Sequence, residues 1–575
     1  MLEASRYKRD AKSWQIKNKR AVARIEKIIA QCREKDARIR QLEQQIYGKR
    51  SEQSKGDSTS HQSGEFSDTQ KKRGKQPGTP GFGRTPELQL PSVVGVEDFH
   101  DEKKKLCACC GKPFREFPGT DDSEEVQVEV KAYRRVIKRK RYQPTCQCPC
   151  NPGIITVPPP PKLIPKGKFG ISFWVHVLIN KYYLQRPLNR ILEELRQHNL
   201  DLSAGSITGG LRKIAPLFTP IAEAIAAVNR SENHWHADET RWMVFVNIEG
   251  KHTHRWYLWV FQSKTTVVFK IMPTRGQVVP KEHFGEDAWG IISADRFSSY
   301  KALLKCGRFL IAFCWAHVRR DFLDCARGYE EFNAWAMQWV DRIGNLYHIN
   351  NQRIQCGTGS QGFKELDADL RAAIHEVEET CQKELSQYQD EFISARRKIL
   401  ASLMEHWSGL ILFVDQPWIP MDNNTAERTL RDSTVGRKGY YGSGAIWSAE
   451  LMADTATTYN TLELWGINQT AWTEKYLQAC AENGGRAPKD ITPFLPWKMS
   501  NDELKALGAD LSKLPKKLNS SQKETQKCAI AAENSQKKKC KSSGQLLPKG
   551  IPKKTENKSP KRCVFNSVGA NPMAA

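Results

Sequence analysis

Apolar residues recur every seven positions in the first part of the chain: Ile25, Cys32, Ile39 and Ile46, with Ile28 and Leu42 three places after members of that set. The period predicts one helix over 14–47 with a narrow apolar seam, as in a coiled coil, interrupted by Asp36 and Glu43. Periodicity leaves open whether the seam meets a second copy or another part of the same chain. A helical pattern returns over 170–228. Within it, Ile191 to Leu195, a break at 199–205 and a run from Ser206 to Leu211 read either as a helix-turn-helix or as an ordinary helical hairpin, with Ser203 or Ser206 capping the second helix. The period then changes. Residues 235–246, 255–262 and 267–272 are aromatic and β-branched, and 290–294 and 309–313 are short apolar runs of the kind found in buried strands. Three adjacent strands, a crossover and two more strands predict a mixed α/β layer. Residues 318–412 are helical with a break near 357–362, and Glu427 opens a further helix.

Between the first helix and this layer the composition shifts twice. Residues 48–91 are rich in Gly, Ser, Lys and Pro, and Lys71-Lys72-Arg73-Gly74-Lys75 reads either as a basic arm for phosphates or as a solvated linker. Cys107 and Cys110 then form a C-x2-C pair, a spacing that lets two thiolates face one tetrahedral zinc ion. A predicted strand over 126–137 follows. Cys146, Cys148 and Cys150 supply the second pair, read here as Cys146 and Cys148, which makes Zn2+ a structural cofactor. Pro158 to Pro161 form a stiff spacer.

The net charge of +25 adds a partner to this picture, because so basic a chain favours a polyanion. No run of about 18 apolar residues is available to span a bilayer, and the first residues lack the apolar core of a signal peptide. Nucleic acid, with no membrane, is therefore the expected partner, and the cytoplasm the expected location. The segment from about residue 500 is basic and rich in Ser, Asn and Lys, and is expected to be disordered.

Three carboxylates carry the candidate chemistry. Asp238 lies in the first strand, Asp295 follows the fourth, and Glu427 begins a helix, preceded by Asp422 and Asn423 as candidate caps. Converging, they could hold two Mg2+ (or Mn2+) ions about 4 Å apart, an arrangement that activates an attacking oxygen and stabilises the leaving oxygen of a phosphodiester. Arg428, Arg431, Arg437 and Lys438 follow at spacings suited to phosphates, and Trp242, Tyr440 and Tyr441 could stack on bases. Cys314 and His317 form a C-x2-H pair that could bind zinc with partners in the helical stretch or simply pack.

With these residues in view, the chain resembles transposases of the Insertion Sequence 66 family, which have an RNase H-like DDE catalytic domain. The matching stretches are Asp238-Glu239-Thr240, Ser293-Ala294-Asp295-Arg296, the run from Cys314 through His317, Arg319 and Arg320 to Phe322, and Asp422 to Arg428, extended by Arg437-Lys438 and Gly442 to Ala445. Tyr47-Gly48-Lys49-Arg50-Ser51-Glu52 and the Cys module agree as well. The resemblance implies metal-dependent DNA cleavage and joining at the terminal inverted repeats of a bacterial mobile element, with Asp238, Asp295 and Glu427 catalytic and Arg319, Arg320, Arg428, Arg431, Arg437 and Lys438 on DNA. It also implies target DNA, accessory proteins of the same element and a homo-oligomer as partners, in association with the nucleoid. The expected multidomain α/β architecture is a coiled-coil helix (1–48), a basic linker (49–91), a zinc module (92–157), a helical DNA-binding region (165–230), an RNase H-like domain (231–465) with a helical insertion at about 325–412, a helical segment (466–499) and a basic tail (500–575). The rival readings are a catalytically silent DNA-binding protein derived from a transposase, and a nuclease that cuts without joining. The presence of all three carboxylates argues against the first.

Overall fold

The computed structural model describes residues 2–47, 109–110, 112, 131–142, 154–249, 253–387, 395–516 and 518–542. Two compact units are formed, one by residues 1–48 and 132–575, the other by residues 49–131. The second falls almost wholly outside the described residues. The basic linker lies outside them too, as do Cys107, Cys146 and Cys148 of the expected zinc set; Cys110 is exposed.

The first unit begins with helix α1 (Leu2–Tyr47). Ala37 is buried, Gln41 donates to the Asp324 carbonyl at 3.0 Å and Glu34 pairs with Lys398 at 2.9 Å. That face of α1 packs on its own chain, while Ile25, Ile28, Ile39 and Leu42 of the apolar seam remain exposed. Residues 131–140 form no strand; a two-residue ladder pairs Arg141–Tyr142 with Ile155–Thr156 instead.

Helices α2 (Ile171–Leu178), α3 (Leu188–Gln197) and α4 (Ala204–Arg230) follow. Ser203 caps α4, its hydroxyl accepting the Ser206 N–H at 3.3 Å. The α3–turn–α4 hairpin exists, but it is not a separate domain. Ile207, Leu211, Ile214, Phe218, Ile221 and Ile225 recur at helical spacing along α4 and are buried in the same core as the sheet. Gly210 makes this packing close: a Cβ there would stand 1.9 Å from the ring of Trp174 on α2.

The sheet has five strands: β1 (His234–Met243), β2 (Arg255–Gln262), β3 (Val267–Met272), β4 (Gly290–Ala294) and β5 (Phe309–Phe313). Their spatial order is β3-β2-β1-β4-β5. β1, β2 and β3 pair antiparallel, whereas β4 runs parallel to both β1 and β5. Every residue of β4 and β5 is buried, as expected of parallel strands covered on both faces. Gly290 opens β4 with φ +148°, where a Cβ would meet the Asn233 carbonyl of the preceding turn at 2.0 Å, so only glycine lets β4 run this close to β1.

Helices α5 (Trp315–Gly328), α6 (Asn333–Gln355), α7 (Gln361–Gln387) and α8 (Ala395–Glu405) form the helical stretch after β5. Its staple is Arg353, whose fully buried guanidinium pairs with Asp367 and donates to the carbonyls of Val414 (3.0 Å) and Phe413 (2.8 Å). Helix α9 (Asn424–Tyr440) returns to the sheet, and α10 (Ile446–Leu464) lies against α4 and β3, its Thr457 and Thr461 hydroxyls accepting the N–H groups of Phe269 (2.8 Å) and Val267 (3.0 Å). Helix α11 (Gln469–Glu482) joins the same core.

The tail expected to be disordered from residue 500 is structured as far as 542. Helix α12 (Asn501–Ala506) starts with a reciprocal Ser500–Glu503 cap, and α13 (Ser520–Ser542) follows. α13 covers the outer face of the parallel strands: Ile530 is buried with Ile291, Leu310 and Ile419, and Gln526 donates to the Asn233 carbonyl at 2.9 Å. Basic composition hid this, because only Ile530, the half-buried Ala529 and Gln526 one turn earlier make the docking face.

Candidate functional site

The acidic centre is set by strand register. His236 on β1 stands opposite Ser293 on β4 in the parallel pairing. Carried on by two residues, the register brings Asp238 beside Asp295, the residue just after β4. Even-numbered positions of β1 share one face, so His236, Asp238 and Thr240 look toward α9, while Trp235, Ala237 and Glu239 look into the opposite layer. Asp238 Oδ1 accepts the Glu239 N–H at 2.8 Å, and Asp295 Oδ1 accepts the Phe297 N–H at 2.9 Å. Each carboxylate thus has one oxygen held by a backbone N–H just after it in the chain and a second oxygen able to ligate.

Glu427 enters from the first turn of α9. The helix is bolted to β1 by Asn423, which is 1 % exposed. Its Nδ2 donates to the Ala237 carbonyl at 2.8 Å and its Oδ1 lies 3.0 Å from His236 Nδ1. Because the amide nitrogen is committed to a carbonyl, the oxygen must accept, and His236 carries its proton on Nδ1. Burial keeps this imidazole below its ordinary pKa. The expected cap is divided: Asp422 accepts the Asn424 N–H at 3.1 Å, while Asn423 serves the strand instead of the helix.

The three carboxylates lie within electrostatic reach of one another. Burial first, then the neighbouring Glu239 and the charges of Asp295 and Glu427, push the Asp238 carboxyl up to about 8. Glu427 Oε1 is buried without a hydrogen-bond partner and lies 3.7 Å from His317 Nε2. The turn after β4 is held by Arg296, which reaches Asp321 at 2.5 Å and Ser402 at 3.0 Å.

Glu239 is a residue whose part was not evident from sequence. Its side chain is inaccessible, with Arg275 contributing Nε at 2.7 Å and Nη2 at 2.6 Å, and the Tyr300 hydroxyl donating at 2.6 Å. Burial still pushes its carboxyl upward against the pull of Tyr300 and Arg275. Arg275 also stacks 3.8 Å from the Phe297 ring centroid, so one guanidinium links the residue after Asp238 to the turn after Asp295. The strand alternation was the available signal: of two adjacent carboxylates only one can face α9, and the other, once buried, needs a cation of its own.

The expected DNA-contacting cations divide. Arg320, Arg428, Arg431 and Lys438 are exposed and form no ion pair among the described residues, whereas Arg319 is half-buried and already engaged. Arg437 is half-buried beside Thr240 Oγ1 at 3.3 Å, and burial together with the nearby Arg241 charge lowers its pKa. Of the three aromatic side chains read as base-stacking, two are structural. Trp242 is fully buried with Nε1 on Ser443 Oγ at 3.1 Å, and the Tyr440 hydroxyl donates to Gln185 at 2.7 Å. Tyr441 is 70 % exposed and held at φ +63°, an unusual conformation for a bulky side chain.

A mixed sheet with helices on both faces is compatible with a transposase domain, and a transposase family model covers residues 166–451, a segment that contains Asp238, Asp295 and Glu427 and begins ahead of α2. The family is the Transposase IS66 family, and the chain belongs to it. It is also similar to proteins of Sinorhizobium fredii (strain NBRC 101917 / NGR234). The uncharacterized protein y4jD is 24 % identical over 455 residues, 75 % of this chain and 84 % of that protein. The uncharacterized protein y4hP is 23 % identical over 446 residues, 72 % and 77 % of the respective chains. No helix among the described residues is long and apolar enough to cross a membrane.

Proposed function

We propose that the chain is a DDE transposase whose sheet, with the order β3-β2-β1-β4-β5, is an RNase H-like catalytic layer, and that it cleaves and joins DNA at the terminal inverted repeats of a bacterial insertion sequence. The observation that carries the reading is the parallel register that sets Asp238 beside Asp295, with Glu427 brought in on the helix bolted down by Asn423. The donor set fits hard divalent cations. Three carboxylates crowd together at a cost visible in Asp238, and a buried Glu427 oxygen lacks a partner. Asp238, Asp295 and Glu427 would hold Mg2+ or Mn2+. Bound there, a metal pair supplies charge stabilisation for the attacking and leaving oxygens of a phosphodiester.

The chain's own residues do the remainder. Arg428, Arg431, Arg437, Lys438 and Arg320 hold the DNA backbone. Asn423 and the Glu239–Arg275–Tyr300 cluster keep the acidic residues in place. Tyr441 stacks on an exposed base. Terminal repeats and target DNA are the partners, together with accessory proteins of the element. The exposed seam of α1 supports pairing with a second copy. Cys107, Cys110, Cys146 and Cys148 hold a structural zinc, which elemental analysis of the purified protein would detect.

The test is a strand-transfer assay with labelled element ends. Glu427→Ala, Asp238→Ala and Asp295→Ala should each abolish cleavage and joining while end binding in gel shifts is retained. Normal joining by Glu427→Ala would remove the assignment, and cleavage without joining by the unaltered chain would favour a nuclease.

A further inference from the structure

Two side chains beside Glu427 have no part in the carboxylate centre. Cys314 precedes the first residue of α5 and His317 lies within its first turn, so both face the first turn of α9. The Cys314 sulfur, a ring nitrogen of His317 and a carboxylate oxygen of Glu427 all lie within 4.8 Å of one another. His317 Nε2 and Glu427 Oε1 are 3.7 Å apart. A tetrahedral zinc with bonds of about 2.0–2.3 Å spaces its ligand atoms roughly 3.3–3.8 Å apart, so only a small closure is needed.

These groups do not satisfy one another. Glu427 Oε1 and His317 Nδ1 are both buried without a hydrogen-bond partner. Native interiors rarely leave two such atoms unpaired in one place, and simple packing does not account for them. The sulfur, by contrast, is already surrounded by donors: the Asn423 N–H reaches it at 3.2 Å, and the backbone N–H groups of His317 and Ala316 point at it too. Burial outweighs these donors and pushes the Cys314 thiol up to about 11, so the ligating thiolate forms only as the metal displaces the proton.

We propose that Cys314, His317 and Glu427 form a binding site for a zinc-class divalent cation, distinct from the hard-cation site of the two aspartates but sharing Glu427 with it. Thiolate and imidazole select zinc over magnesium, and three protein ligands leave a fourth position open to water or a phosphate oxygen. On binding, the S–H bond of Cys314 breaks, a sulfur–metal bond forms and the proton passes to solvent; no electron is transferred. The site meets the proposed function only through the shared Glu427, and it stands or falls by metal binding alone.

The experiment uses the full chain, stripped of metal and titrated with Co2+, whose bond to a thiolate gives a charge-transfer band in the near ultraviolet. Wild type should bind one equivalent more than His317→Ala, a substitution at a partly exposed side chain that leaves the fold intact by circular dichroism. Cys314→Ser should lose the same equivalent and part of the band. A Cys107→Ser/Cys110→Ser chain should keep that equivalent, which separates this site from the other cysteine group. Added Zn2+ should bleach the spectrum. Loss of the equivalent, or weakening by about tenfold or more in His317→Ala, supports the site. Any smaller effect in His317→Ala overturns it, whether or not Cys314→Ser folds. Metal binding is read without activity, so a chain that fails to transfer strands still tests the site.

Discussion

At the scale of single residues, the acidic centre is a problem of crowded charge. Asp238 is pushed up to about 8 by burial and by its acidic neighbours, whereas an unfolded aspartate titrates near ~3.9. The folded value is the higher one, so between roughly pH 4 and 8 the native state holds a proton that the unfolded chain has lost. The stability this group contributes is therefore complete below the unfolded pKa and disappears as pH rises through about 8. In metal-free buffer the melting temperature should fall as pH rises from about 5 to 9, and Asp238→Asn, neutral throughout, should flatten that slope. Asp454, which burial raises to about 6, titrates in both proteins, so the difference between them isolates Asp238. Parallel slopes in a thermal-shift series would contradict the assignment. Asp238 and Asp295 were legible in the sequence because each interrupts or ends an apolar strand. Glu239 was not, since spacing cannot say which of two adjacent carboxylates turns inward. Trp242 and Tyr440 misled for a related reason: composition marks an aromatic side chain as able to stack, but only packing decides whether its face is free.

At the scale of elements, α9 matters because of how it is tied down. Asn423 joins it to β1 across 187 positions of sequence, a contact that no local pattern could announce. The strands and the helices from α5 to α8 were legible because each carries its own period and break. What escaped were α13, whose docking face is short, and the packing of α4, a helix evident from its period but buried against a partner remote in sequence. Asn423→Ala would leave the Ala237 carbonyl and His236 Nδ1 buried without their partner, at a cost of about 2–4 kcal/mol. It should therefore lower the unfolding free energy measured in urea by that amount, and with it the midpoint. It should also shrink the rise in melting temperature caused by Mn2+, because Glu427 sits one turn further along the same helix. A destabilised variant with an undiminished Mn2+ response would mean that Asn423 supports the fold but does not place Glu427.

At the scale of the whole molecule, one hydrophobic core runs from Leu163 to Ala509 and joins what the sequence divides into separate segments. The helices at 171–230 and 446–482 belong to the same packed body as the sheet. This follows from the sheet itself. Its two parallel strands are buried on both faces, so cover must come from both sides, and the chain supplies it from segments far apart in sequence. On the outer face that cover includes α13, which the charge of the C-terminal region conceals. The two parts of that region should then behave differently when removed. A chain ending at residue 518 loses Ile530 from the cluster with Ile291, Leu310 and Ile419, and loses the Gln526 bond to Asn233. Burial of one Ile and one hydrogen bond amount to about 2–4 kcal/mol, so its melting temperature should fall by several degrees. A chain ending at residue 542 keeps both contacts and should melt like the full chain. It lacks Lys549, Lys553, Lys554, Lys558, Lys561 and Arg562, however, and so should bind all DNA more weakly and with a shallower dependence on salt. Ile530→Asp in the full chain should reproduce the loss of stability without the loss of charge. Thermal-shift and gel-shift measurements on the three proteins separate the two effects, and an unchanged melting temperature for the chain ending at 518 would show that α13 does not support the sheet.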